Sequence, residues 1–195
     1  MKTFKKVVLM AVCAALLVGA SVAGTLAFLQ AKTDTITNTM TVGKVAITLD
    51  ESVLDANGEA TNNRTATGNA YKLVPGKKYI KDPQIHVDAA SESCYLFVEV
   101  VNEIAAIEKQ GVKVADQMAT NDWIQIPETN VYYKEAAVSA GANVDVFADF
   151  TIAEDVLDLS GYADKKITIT AYAVQADGFN SATAAWAATF GADQG

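Results

Sequence analysis

The sequence predicts an all-β fold, a two-sheet antiparallel sandwich of the jelly-roll kind with a short C-terminal helix. Several short segments alternate apolar and polar residues with a period of two, which is typical of half-buried strands. Turn residues separate these segments, and helix-forming runs are scarce. Without its leader, the chain has the length of one domain that buries a sizeable core.

The N-terminal segment has the pattern of a secretory signal peptide. Three lysines within the first six residues precede an apolar run over 7–23, and the small residues Thr25 and Ala27 then flank Leu26. We predict cleavage between Ala27 and Phe28, which leaves residues 28–195 as a secreted domain without a membrane anchor. The alternative is a retained anchor, because the run approaches the ~20 residues that span a bilayer. No basic cluster follows the run to favour that alternative.

Several segments are predicted strands. Those with the clearest alternation are 33–42, 45–50, 144–152 and 167–173. Segment 94–101 is more uniformly apolar, which indicates a central strand buried on both faces. Segments 123–126 and 131–133 flank four turn-forming residues and predict a β-hairpin.

Turns and helices complete the predicted fold. The polar run 61–69 is expected to be a flexible surface loop, and Pro75-Gly76 a turn. One short helix is expected over 104–109. The alanine-rich segment 181–190 predicts a second helix with Asn180 or Ser181 as its N-cap. Its Trp186 and Phe190 are four residues apart, so one helix face can dock on a sheet.

The charge of the chain excludes several kinds of partner. The net charge is −8, and removing the three leader lysines makes it −11. Such a surface repels phosphate backbones and anionic lipid headgroups, so we predict no nucleic-acid partner and no membrane-surface partner.

No catalytic, cofactor or metal residues are predicted. His86 is the single histidine, whereas a zinc hydrolase uses two or three, and no Gly-x-Ser-x-Gly motif is present. We interpret His86 as an exposed strand residue and Cys94 as a buried thiol. The alternatives are a Cys94–His86 pair on neighbouring strands and an intermolecular disulfide through Cys94.

Two clusters leave a binding role open. The acidic segment 50–59 has oxygen ligands around Gly58, as a calcium loop would, but its spacing does not fit such a loop, and we interpret it as a solvated acidic turn. Four aromatic residues could bind a glycan or peptide, but on alternating strands they more often pack against neighbouring strands. They are Tyr132, Tyr133, Phe147 and Tyr172.

Four blocks of sequence carry a family resemblance. The most specific block is 24–28 followed by 35–51, where the leader opens into a Thr-rich strand. The others are 73–83, 130–135, and 171–179 with Ala185-Trp186. These blocks run from the leader to the C-terminal helix, and in them the chain resembles the TasA and camelysin family, whose leader is cut by the SipW signal peptidase.

The resemblance implies a jelly-roll subunit that a Gram-positive bacterium secretes and that forms fibres of the biofilm matrix or cell surface. It implies further copies of the chain, accessory matrix proteins and a SipW-type signal peptidase as partners. It also implies that the freed N-terminal strand, 28–42, is donated to the next subunit. The residues predicted to form this donor strand are Phe28, Leu29, Ala31, Thr33, Thr35 and Ile36.

The residues permit a donor strand of this kind. Segment 28–37 would extend over ~33 Å, and no glycine or proline interrupts it. An extended peptide gains main-chain hydrogen bonds when it adds to a sheet edge, and a head-to-tail contact can propagate into a filament.

Two other functions are weighed against the fibre subunit. A monomeric surface adhesin could bind through its tyrosines or the 61–69 loop, and would stay monomeric in size-exclusion chromatography. Camelysin-like members of the family imply a metallopeptidase, but that activity does not transfer to a chain with His86 as its only histidine.

Overall fold

A computed structural model describes part of the chain, namely Lys6, Val8, Met10, Val12, Cys13 and residues 43–191. The five separate N-terminal residues are helical. The chain divides into two compact units, Met1–Thr41 and Val42–Gly195, and the described strands all belong to the second. The predicted cleavage point between Ala27 and Phe28 and the predicted strand 28–42 lie outside the described residues.

Residues 43–191 form ten strands and two α-helices. The strands are β1 (Ile47–Leu54), β2 (Ala60–Thr65), β3 (Lys78–Ile80), β4 (Gln84–Val87), β5 (Cys94–Asn102), β6 (Ile124–Gln125), β7 (Val131–Tyr133), β8 (Asn143–Asp145), β9 (Asp149–Thr151) and β10 (Ile167–Gln175). The helices are α1 (Val114–Thr120) and α2 (Ala182–Thr189), and two 3-10 turns cover Ala105–Ile107 and Ser160–Tyr162.

The strands pair in three antiparallel sheets. One sheet has the order β2-β1-β4-β8, the second has the order β10-β5-β7-β6, and β3 pairs with β9 in a two-stranded sheet. Every pair in these sheets is antiparallel. The prediction of an all-β protein with antiparallel sheets is therefore confirmed.

Strand β5 is buried on both faces, which confirms its predicted central position. Leu96 and Val98 on one face are fully buried and join Ile85 of β4 in the main core. The main core therefore draws side chains from both four-stranded sheets. Tyr95 and Phe97 on the opposite face of β5 belong to a second, smaller core.

Helix α2 covers the second core, as its spacing predicted. The Ser181 hydroxyl accepts a hydrogen bond from Ala184 N at 3.1 Å and caps the helix. The Trp186 ring lies 4.9 Å from the ring of Phe97 and 4.8 Å from that of Phe190. The helix thus shields one face of β5 and β10 from solvent.

Several local predictions are confirmed. Strands β6 and β7 form the expected antiparallel hairpin. Strand β10 covers the predicted segment 167–173, and Pro75 and Gly76 form a turn. The strand predicted over 45–50 starts slightly later and continues to Leu54.

The single strand predicted over 144–152 is wrong. Strand β8 pairs with β4, whereas β9 pairs with β3, so the chain changes sheets at 146–148. Phe147 is turned into the core at this corner, and Ala148 is exposed. The Gln117 side chain accepts hydrogen bonds from the N–H groups of Ala148 and Asp149, which stabilises the corner.

The flexible loop predicted over 61–69 is also wrong in its first half. Residues Ala60–Thr65 form β2, which pairs with the C-terminal half of β1. Both faces of β2 are largely exposed, and so it lacks the alternating apolar residues that reveal a half-buried strand. The Arg64 side chain holds β2 in place through Asp50 and Asp82.

One helix lies outside the sequence prediction. Helix α1 buries Val114 and Met118, which are four residues apart, and Asp116 accepts a hydrogen bond from Lys113 N at its N-terminus. The helix predicted over 104–109 is reduced to the 3-10 turn Ala105–Ile107. Within the described part of the chain, none of the helices has the length and apolar character needed to traverse a bilayer.

Candidate functional site

As far as the described residues extend, strand β10 lies at the outer edge of its sheet. Among the described strands it pairs with β5 alone, in an unbroken register from Ile167 opposite Asn102 to Gln175 opposite Cys94. Its nine residues make it as long as β5, the longest central strand. Long edge strands present main-chain groups that can pair with another strand.

The main-chain groups of β10 divide into two sets. Glu103 N donates to Lys166 O, and Ala176 N donates to Ser93 O, at the two ends of the ladder. Hydrogen-bonded pairs alternate along an antiparallel ladder, so even-numbered residues of β10 bond to β5. The odd-numbered residues, from Ile167 to Gln175, therefore direct their N–H and C=O groups to the opposite edge. No described strand bonds to them there.

The N-terminal half of β1 forms a second edge nearby. Ile47–Asp50 pairs with β4 on one side, whereas β2 pairs with β1 only from Glu51 onward. Cα atoms of β1 and β10 approach within 8 Å, but the two strands belong to different sheets. The two sheets are therefore open toward each other along this side of the described domain.

A groove of about 1050 Å³ opens between these strands. Its apolar lining includes Leu49, Leu73, Ile104, Phe150, Ile167 and Ile169. Leu49, Ile167 and Ile169 are only partly buried, although they pack against the main core. Apolar residues that border both a core and a groove are suited to cover by a further apolar segment.

One wall of the groove holds a polar triad, which we define as Glu51, Asn69 and Lys81; Glu51 and Lys81 are buried, and Asn69 is partly buried. Lys81 Nζ lies 2.6 Å from Glu51 Oε2, and both side chains are less than a tenth exposed. Asn69 Nδ2 donates to the other oxygen, Glu51 Oε1, at 2.8 Å. The two nitrogens thus contact opposite oxygens of one carboxylate.

A second polar network lies on the outer surface beside the groove. Arg64 bridges Asp50 and Asp82, and Asp50 also contacts His86 Nε2 at 2.9 Å. The hydrogen bond with Asp50 raises the pKa of His86 above its usual value, while partial burial opposes the shift. Burial raises the pKa of Asp50, but the hydrogen bonds from Arg64 and His86 outweigh it and lower the pKa overall.

The two residues weighed for thiol chemistry lie apart. Cys94 is fully buried in β5, as predicted, and this burial raises the pKa of its thiol. His86 lies in β4, which belongs to the other sheet, and its side chain is 27% exposed. The described structure therefore places no Cys94–His86 pair on neighbouring strands.

The acidic segment 50–59 does not act as one loop. Asp50 and Glu51 lie in β1 and contact cationic side chains, whereas Asp55 accepts hydrogen bonds from the N–H groups of Asn57 and Glu59 in the turn. Across the described residues, no group of three or more His, Cys, Asp or Glu side chains could hold a metal ion.

The aromatic residues weighed as a binding surface pack within the domain. Phe147 is buried, and Tyr132 packs against the main core. Tyr133 and Tyr172 pack against the second core, where the Tyr172 ring lies 5.7 Å from that of Trp186. These contacts favour the packing interpretation.

The chain enters the described domain beside one end of β10. Glu92 N donates to Lys44 O at 2.9 Å, and the adjacent Ser93 O accepts from Ala176 N. Residue 44 is therefore close to the Gln175 end of β10.

These features define an all-β domain with an open strand edge beside a partly apolar groove. No family model, curated protein or solved structure matches the chain. Neither the groove nor the triad is predicted from the sequence. The one available signal is the set of charged and amide residues, Glu51, Asn69 and Lys81, each close to a strand or turn.

Proposed function

We propose that the chain is a secreted structural subunit of extracellular fibres, assembled when the N-terminal segment of one copy adds to β10 of the next. The observation that carries the proposal is the open edge of β10 beside the groove. A strand added there would bond to the odd-numbered residues of β10 and cover the apolar lining of the groove.

The predicted donor segment complements this site in length and pattern. Segment 28–37 spans ~33 Å when extended, and the nine residues of β10 span ~30 Å. Leu29, Ala31 and Thr33 would lie on one face, toward Ile167, Ile169 and the groove. Gln30, Lys32 and Asp34 would lie on the other face, toward solvent.

Processing of the leader would control assembly. Cleavage between Ala27 and Phe28 by a SipW-type signal peptidase would free the segment from the membrane during export. Residue 44, which follows this segment, lies near the Gln175 end of its own β10, so addition to a neighbour would compete with addition to the same copy. A filament results when the contact with a neighbour prevails, because a head-to-tail contact need not close.

The resemblance to the TasA and camelysin family supports the same proposal. It favours a jelly-roll arrangement of the two four-stranded sheets and a role in the biofilm matrix or at the cell surface. In this proposal the groove is where a donated strand would complete the jelly roll. Accessory matrix proteins would be further partners.

Deletion of residues 28–37 from the mature protein tests the proposal. We expect electron microscopy to show fibres of the intact mature protein and none of the deletion variant. Size-exclusion chromatography should give a species that grows with time for the intact protein and a monomer for the variant. Unchanged fibres would refute donation, and an intact protein that stays monomeric would favour the adhesin.

A matched pair of substitutions sharpens the test. Leu29→Asp places a charge on the face that would enter the groove, and Gln30→Asp places one on the face toward solvent. We expect Leu29→Asp to abolish fibres and Gln30→Asp to preserve them, because burial of an unpaired carboxylate is costly. Equal effects of the two substitutions would contradict the proposed orientation.

A further inference from the structure

We propose that the triad of Glu51, Asn69 and Lys81 forms an intramolecular isopeptide bond between Lys81 Nζ and Asn69 Cγ. The inference is independent of the fibre proposal. It assigns a self-modification site to a buried ion pair that would otherwise be only structural.

The burial of this ion pair distinguishes it from the others in residues 43–191. The Lys81 and Glu51 side chains are 8% and 6% exposed, whereas every other ion pair there leaves at least 16% of each side chain exposed. A buried ion pair adds little to stability compared with apolar packing, so its presence suggests another role.

The amide of Asn69 is fixed against the same carboxylate. Asn69 N and Asn69 Nδ2 both donate to Glu51 Oε1, at 2.9 and 2.8 Å. Asn69 Nδ2 also donates to Ser52 O at 2.8 Å, and Asn69 Oδ1 accepts from Leu54 N at 3.3 Å. The electrophile and the amine are therefore held on either side of Glu51.

The backbone around the triad is equally constrained. Glu51 lies in β1 opposite Thr65 of β2. Lys81 N donates to Ala148 O, and the Tyr71 hydroxyl donates to the carbonyl of Ile80, the residue before Lys81. Such a fixed backbone limits the relative motion of the two side chains, which favours an intramolecular step.

Each step of the reaction has a group that can carry it out. Glu51 Oε2 accepts a proton from the Lys81 ammonium, and the neutral amine attacks Asn69 Cγ. The Leu54 N–H stabilises the negative charge that develops on Asn69 Oδ1. Glu51 then delivers the proton to Asn69 Nδ2, and the Cγ–Nδ2 bond breaks. The second proton of the attacking nitrogen passes to the released ammonia, which leaves as ammonium.

The reaction is balanced without a cofactor or oxidant. The Lys81 ammonium and the Asn69 amide give a secondary amide and one ammonium ion, and Glu51 returns to its ionised form. Asn69 and Lys81 both border the groove, which provides a route for ammonia to reach solvent. The mass of the chain falls by one ammonia molecule.

Mass spectrometry of the purified full chain tests the inference. We expect the denatured protein to be lighter than its sequence by one ammonia. Trypsin should yield peptide 65–72 joined to peptide 79–109, because a modified Lys81 is not cleaved and Lys109 is the next site. Recovery of peptides 65–72 and 79–81 as separate, unmodified species would overturn the inference.

A second source of ammonia loss must be separated from the first. Asn57 precedes Gly58 in an exposed turn, and attack by the Gly58 nitrogen on the Asn57 side chain would also release ammonia. An Asn57→Ser variant should keep the mass loss if the triad causes it. Loss of the mass change in Asn57→Ser would overturn the inference.

Variants of the triad and a matched lysine complete the design. We expect Lys81→Arg, Glu51→Gln and Asn69→Ala to have the full mass, and Lys78→Arg to remain lighter. Lys78 contacts Asp149 at 2.7 Å and is a suitable control because it is 65% exposed. Lys81→Arg keeps the positive charge beside Glu51, so its circular dichroism should match that of the wild type while its mass does not. A mass loss that persists in folded Lys81→Arg would overturn the assignment.

Discussion

His86 Nε2 lies 2.9 Å from Asp50 Oδ1, and this contact joins two neighbouring strands on the surface of the first sheet. The other ring nitrogen, His86 Nδ1, lies 2.7 Å from Asn143 Oδ1 on the next strand. One imidazole therefore connects β1, β4 and β8. Its protonation affects all three strands because a protonated ring donates to both oxygens.

The first prediction concerns the pH dependence of this contact. The pKa of His86 is raised in the folded protein, so its stabilisation is complete below the unfolded value of 6.5 and is lost as pH rises through the folded pKa. The pKa of Asp50 is lowered in the folded protein. Its contribution to stability is therefore present above pH 3.8 and is lost as pH falls through its pKa in the folded state. The pair is thus most stabilising between these two values.

We expect His86→Gln to reduce the free energy of unfolding more at about pH 5.5 than at about pH 8, by less than ~1 kcal/mol because both side chains are about a quarter exposed. Urea unfolding of both proteins at each pH measures the difference. An effect that is larger at the higher pH would contradict this prediction.

The elements that could be predicted from sequence are those with a local signal. Ile167 and Ile169 alternate with threonines because one face of β10 packs on the main core. Ser181 and the alanines after it carry the cap and the helix propensity of α2 within a single segment. Each signal is complete within ten residues, so no knowledge of distant partners is needed.

The features missed by sequence analysis depend on distant partners. Glu51 contacts Asn69 and Lys81, which are 18 and 30 residues away, and nothing in the local pattern indicates that they meet. Strand β2 is a strand because it pairs with β1, and it has no buried face. Its sequence therefore lacks an alternating apolar pattern and predicts a loop. The corner at 146–148 follows from pairing with two different sheets.

The second prediction concerns the docking of α2. Trp186 is 8% exposed, and its ring contacts those of Phe97, Tyr172 and Phe190. We expect Trp186→Ala to lower the free energy of unfolding by about 3–5 kcal/mol, because it removes a large buried side chain and leaves a cavity. Thr189→Ala, at an exposed position of the same helix, should change it by less than about 0.5 kcal/mol. Similar losses in the two variants, measured by chemical denaturation, would show that α2 does not dock through Trp186.

The third prediction concerns a buried carboxyl group. Glu108 is 3% exposed and accepts a hydrogen bond from Val114 N, and its burial raises its pKa. An acid with a raised pKa binds its proton more readily in the folded state than in the unfolded state. The contribution of Glu108 to the free energy of unfolding therefore becomes more favourable as pH falls from neutrality toward 4.5, its pKa in the unfolded state. We expect the wild type to gain stability relative to Glu108→Gln over this interval. A constant difference between the two unfolding free energies across the interval would rule out the effect.

The fourth prediction tests the open edge of β10. Ala171 is odd-numbered, so its N–H points away from β5, whereas the N–H of Thr170 bonds to the β5 strand. Proline removes this donor and is tolerated in an edge strand where the N–H faces outward. Ala171→Pro should therefore preserve the fold while blocking the addition of a strand.

We expect purified Ala171→Pro to unfold at nearly the wild-type temperature and to form no fibres by electron microscopy. Thr170→Pro is the matched control, since the same residue one position earlier removes a ladder bond and should cost about 3 kcal/mol or more of stability. Comparison of these two variants separates the loss of a strand edge that can accept another strand from the loss of the folded structure. Fibres of normal appearance from folded Ala171→Pro would exclude β10 as the acceptor. A strand that added to that edge would lose a hydrogen bond at its centre, opposite the proline.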